Sequence, residues 1–90
     1  MSADHRLTWT IDVFDEADEQ LLEEHELTGV TIENLRKIFC QPDDEPMIDS
    51  FRLSEAQALA LQPYLTKPLQ VSPGRAYFLE CHSASTEPQA

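Results

Sequence analysis

Residues 7–13 read LTWTIDV, and their strict alternation constrains this chain more than any other feature. Successive side chains of a strand point to opposite faces, so Leu7, Trp9, Ile11 and Val13 share one side while Thr8, Thr10 and Asp12 share the other. Thr, Trp, Ile and Val all suit the pleated backbone. The chain is therefore expected to build a sheet with one apolar face that another layer covers.

Ninety residues hold one hydrophobic core and so one domain. The apolar share of 41%, with four Phe, two Tyr and one Trp, suffices for a modest core and argues against wholesale disorder. Residues 1–6 are expected to form a mobile lead-in, residues 7–82 the folded domain, and residues 83–90 (SASTEPQA) a disordered tail.

After the first strand, Asp15 to Gln20 suits a turn, and Leu21 to Leu27 reads as a second strand. That strand carries charge on both sides: Glu23 and His25 fall with Leu21 and Leu27, whereas Glu24 and Glu26 fall with Leu22. Such a pattern marks an edge strand, because charged side chains discourage pairing with another molecule. Gly29 breaks it, and Thr31 caps a helix running to about Phe39 with Ile32, Leu35, Ile38 and Phe39 as its apolar stripe. Gln41 to Pro46 (QPDDEP) is a proline-bracketed loop, and Met47 to Leu53 alternates as a third strand would. Ser54 and Gln57 form a capping-box pattern for a second helix carrying Ala56, Leu59, Ala60 and Leu61, which ends near Pro63. Leu69 to Val71 is a possible short strand. Pro73-Gly74 is a turn, and Arg75 to His82 (RAYFLECH), apolar on both faces, suits a central strand. The expected fold class is α+β, in the order β-β-α-β-α-(β)-β, an antiparallel-rich sheet with two helices packed on one face. Strand order is not readable from the sequence.

Charge is the other strong signal. Seventeen acids against six bases give a net charge of −11, and residues 1–30 carry nine acids and one base, a net −8. Such a surface repels nucleic acid and anionic membranes and steers a basic partner into encounter. No apolar run reaches the length of a membrane span, and none near the N-terminus resembles a signal peptide. Cys40 and Cys81 follow no paired spacing, so a cytoplasmic protein with free thiols is the simplest expectation.

Chemistry-bearing constellations are sparse. His5, His25 and His82 offer poor material for a dyad with either cysteine, so no enzyme activity and no cofactor are expected. Adjacent Cys81 and His82 point to opposite faces of a strand, and the acid clusters at 15–19 and 43–45 lack the ligand spacing of a calcium loop; no metal site is assigned. The acids that remain are Asp15, Glu16, Asp18, Glu19, Glu23, Glu24 and Glu26 on the hairpin and Asp43, Asp44 and Glu45 on the loop. They are candidates for binding a basic protein, and against that stands the plainer reading of a solvated face that protects an edge strand.

Trp9-x-Ile11-x-Val13-x-Asp15-Glu16, Gly29-Val30-Thr31, Pro46-Met47-x-Asp49 and Tyr77-Phe78-Leu79-Glu80 together resemble a family of small acidic uncharacterised bacterial proteins, over about residues 7–82. The resemblance brings no activity and no functional residues with it. By analogy of class, small acidic bacterial proteins of this size often act as immunity partners of secreted toxins. The functional expectation is thus a non-enzymatic, immunity-type inhibitor of a basic toxin or nucleic-acid-handling protein. The alternative is a small accessory or ligand-binding domain using Tyr64, Tyr77 or Cys81.

Overall fold

A computed structural model describes residues 6–84. Its elements are β1 (Arg6–Asp15), β2 (Leu21–Glu26), α1 (Ile32–Ile38), β3 (Phe51–Arg52), α2 (Glu55–Leu61) with a 3₁₀ turn at Gln62–Tyr64, and β4 (Arg75–Ala84). The strands form one four-stranded sheet in the order β2-β1-β4-β3, antiparallel throughout. This is the expected α+β class, with β2 on the edge and β4 inside.

The hairpin β1–β2 is local, but the longer ladder joins the two ends of the chain, running from Arg6↔Ala84 to Asp15↔Arg75. That ladder extends the folded part slightly past its expected limits, taking in Arg6 from the lead-in and Ser83 and Ala84 from the tail. The rest of both segments lies outside the described residues. The turn between β1 and β2 is held by carboxylates: Asp15 Oδ1 accepts from Ala17 N at 2.8 Å and Asp18 Oδ1 from Gln20 N at 3.1 Å. At the other turn, Gly74 takes the left-handed φ of 82° and its carbonyl accepts from Glu16 N.

Register sorts the side chains into two faces. Trp9, Ile11 and Val13 stand beside Cys81, Leu79 and Tyr77, and this face packs against Leu35 and Phe39 from α1 and its C-terminal end, Ala58 and Leu61 from α2, and Leu27, Met47, Leu53 and Leu69 from the connections. Both helices therefore lie on one side. Thr31 caps α1 through Asn34 N, and the Ser54–Gln57 capping box opens α2, both as the sequence implies.

Two local expectations are corrected. Met47–Leu53 is a strand only at Phe51–Arg52, because Met47 adopts a positive φ of 58° and its carbonyl is taken by the Trp9 indole Nε1–H at 2.9 Å, which holds the segment as a loop. Leu69–Val71 is no strand: the Gln62 side chain bonds both backbone groups of Leu69, doing what a neighbouring strand would do. On α2 the buried residues are Ala58 and Leu61, while Leu59 is 61% exposed and Ala56 and Ala60 face solvent.

Candidate functional site

The sheet's second face carries the even-numbered residues of β1 (Thr8, Thr10, Asp12, Phe14) beside Ala76, Phe78, Glu80 and His82 of β4. Glu24 and Glu26 of β2 join them opposite Asp12 and Thr10, and Arg52 of β3 joins opposite Phe78. Neither helix covers this face, since both pack on the other one.

Two features are built on it. Towards the hairpin turn, Phe14 and Phe78 meet edge-to-face with centroids 5.7 Å apart and floor a depression of about 390 Å³, rimmed by Asp15, Glu16, Glu19 and Glu80. Arg52 lies across this floor, its guanidinium 5.9 Å from the Phe78 centroid and donating to Glu16 Oε2 at 2.6 Å. Glu80 accepts from Ser50 Oγ at 2.6 Å.

Towards the other end, Thr10 and Asp12 are each only 8% exposed although no helix covers them. Glu24 on β2 and His82 on β4 belong to strands that flank β1 on either side, and short Thr10 between them lets the two long side chains lean together. His82 Nε2 stands 3.0 Å from Thr10 Oγ1 and 3.7 Å from Glu24 Oε2, and Thr10 Oγ1–H donates to Asp12 Oδ1 at 2.8 Å. Ligand atoms of Asp12, Glu24 and His82 all lie within 4.8 Å of one another.

The ten acids singled out from the sequence do not form one patch. Glu24 and Glu26 stand on the uncovered face. Glu23 lies opposite Val13, towards the helical side, where His25 Nε2 approaches at 2.8 Å and Arg75 at 3.6 Å. Asp15 and Asp18 hold the turn, and Glu16 holds Arg52, so these acids contribute to folding. Glu19, at the end of that turn, adopts a positive φ of 60°. Asp43, Asp44 and Glu45 sit with the helical layer, where Arg36 of α1 donates to the Glu45 carbonyl at 2.8 Å. Sequence reasoning missed Asp12, Glu80 and His82 as members of the acidic face. Their even-numbered positions were visible, but their grouping depends on β4 lying beside β1.

Tyr77 is buried, its hydroxyl donating to Gln70 O and accepting from Ser72 N, and Cys81 is half-buried at the margin of the core. Burial raises the Cys81 thiol pKa above its ordinary 9.0. Neither these residues nor Tyr64 lines either feature of the uncovered face. Among the described residues no helix is long and apolar enough to cross a membrane.

No curated protein and no solved structure matches the chain. Residues 8–80, from β1 into β4, match the family described as a domain of unknown function, DUF7683, and the chain belongs to that family.

Proposed function

We propose that this is a non-enzymatic interaction protein, an inhibitor of immunity type, that receives a basic toxin or nucleic-acid-handling protein on the uncovered face of its sheet. One observation carries the reading: Asp12, Glu24, Glu26 and Glu80 share that face across three strands, and among the described residues none of the four has a Lys or Arg ion-pair partner. A partner's cations would find there carboxylates hydrogen-bonded at most to neutral groups or facing His82. The depression beside them suits the same chemistry, since the Phe14–Phe78 floor accepts the apolar stem of a Lys or Arg and the acidic rim accepts its head. Arg52 already lies in this manner between Phe78 and Glu16.

The partner to test first is the product of the neighbouring gene, by calorimetry at about 50 and 500 mM salt, where screening shortens the reach of charge severalfold. Binding should weaken by at least about tenfold at the higher salt. The Glu24→Gln/Glu26→Gln/Glu80→Gln variant should weaken it similarly at low salt, while a Glu33→Gln control on α1 leaves it unchanged. Tight binding indifferent both to salt and to the triple substitution would remove the electrostatic basis of the proposal.

A further inference from the structure

We propose that Asp12, Glu24 and His82 form a binding site for a divalent first-row transition-metal ion of the zinc class. The site shares Asp12 and Glu24 with the proposed partner-binding face but does not rest on that reading, and its test contains no partner.

Three observations converge on it. The donor set is one imidazole and two carboxylates, supplied by three different strands, and an imidazole with carboxylates suits zinc-class ions better than the all-oxygen cations calcium and magnesium. The geometry is close to bonding. A tetrahedral ion about 2.0–2.2 Å from each ligand holds its donor atoms about 3.3–3.6 Å apart. The His82 Nε2 to Glu24 Oε2 distance of 3.7 Å is close to this spacing, and the 4.8 Å bound on the set requires at most about 1.4 Å of closure from side chains of which two are exposed.

The third observation is that Asp12 and Glu24 stand directly opposite one another on neighbouring strands, a placement in which like charges repel. Asp12 is moreover almost buried and has no Lys or Arg ion-pair partner among the described residues. A bound cation would remove both costs. Thr10 is placed as an outer-shell residue: its hydroxyl proton goes to Asp12 Oδ1, which fixes the carboxylate's orientation, as hydrogen bonds to ligating carboxylates do. Because that proton is committed to Asp12, Thr10 Oγ1 accepts from the His82 Nε2–H at 3.0 Å. Loading the ion requires His82 to carry its single proton on Nδ1 and offer Nε2, so the Thr10–His82 contact is exchanged for a metal bond while the Thr10–Asp12 bond stays. Three protein ligands leave a position for water or for a group from another molecule.

The experiment is a titration of the full chain, freed of metal, with Zn²⁺ by calorimetry. Nitrogen-correlated NMR of the histidine rings reads the same titration, with Ca²⁺ and Mg²⁺ in separate runs. The expected result is one Zn²⁺ per chain with a Kd below roughly 100 μM, a shift of the His82 Nε2 resonance, and no comparable binding of Ca²⁺ or Mg²⁺. His82→Gln and Glu24→Gln, both at exposed positions, should each weaken binding by about tenfold or more, and Thr10→Val by about tenfold while leaving the three ligands in place. Circular dichroism of each variant reports whether the fold is kept. Cys40→Ser and His25→Gln should leave the affinity unchanged. No Zn²⁺ binding, binding that survives His82→Gln, or a preference for Ca²⁺ over Zn²⁺ would overturn the assignment.

Discussion

Thr10→Val is the substitution that reads the uncovered face most directly, because it replaces a hydroxyl by a methyl of similar size on a residue that favours strand geometry either way. Thr10 donates to Asp12 at 2.8 Å, and both residues are 8% exposed. A hydrogen bond to a charged acceptor contributes about 1.5–3 kcal/mol net. Asp12 is not fully enclosed, so water reaching its carboxylate replaces part of the lost bond. The expected cost is therefore in the lower part of that range, about 1.5–2 kcal/mol. Urea unfolding followed by the fluorescence of Trp9, the chain's single tryptophan, should show a lower midpoint at unchanged slope. In an Asp12→Ala background the same substitution should cost at least about 1 kcal/mol less, which isolates the pair from the contact with His82. A loss below about 0.5 kcal/mol, or the same loss in both backgrounds, would show that Thr10 does not hold Asp12 and that the face is not preorganised.

Two further predictions concern the other side of the sheet. Trp9→Phe leaves the Met47 carbonyl without its donor and opens space in the core, so it should destabilise by about 2–4 kcal/mol in urea unfolding followed by circular dichroism; a loss under about 1 kcal/mol would mean the indole does not anchor the 41–50 loop. Burial favours the neutral thiol of Cys81 and limits a reagent's access to it, whereas Cys40 is exposed. Iodoacetamide near pH 8 should therefore label Cys40 first, as mass spectrometry of digested protein would show, and the reverse order would contradict the placement of Cys81. The same shift makes stability fall as the pH rises past the ordinary thiol value of 9.0, because the folded state then holds a proton that the unfolded chain has released.

What the sequence revealed was whatever depends on neighbours along the chain. The alternation of Leu7 to Val13, the Thr31 cap, the Ser54–Gln57 box and the Pro73-Gly74 turn all act within a few residues, and each stands where its pattern implies. The misreadings share a different cause. Met47–Leu53 alternates well enough for a strand, but a carbonyl captured by Trp9, 38 residues away, decides its backbone. Leu69–Val71 has strand-forming residues, but a Gln62 side chain satisfies the backbone of Leu69. The site fell between the two. That Glu24 and Glu26 share a face followed from alternation, whereas the approach of Glu24 to His82 required knowing that β1 lies between β2 and β4.

The two explanations of the acid on the second strand make different demands on the fold. Edge protection requires charge along β2 and is indifferent to which face carries it. Glu23 meets that requirement, and it is engaged by His25 and Arg75 on the helical side. Glu24 and Glu26 meet it too, so β2 alone cannot separate protection from recognition. Asp12 and Glu80 can, because they lie on the interior strands β1 and β4, where there is no edge to protect, and yet they stand on the same uncovered face as Glu24 and Glu26. Solubility does not explain Asp12 either, since a carboxylate that is only 8% exposed adds little to the hydrated surface. Charge that follows a face across three strands, and at Asp12 into a position where it is costly to bury, supports the proposal that the face receives a partner. Testing Glu23 alone would probe the edge. Testing Asp12, Glu24, Glu26 and Glu80 probes what the face is for.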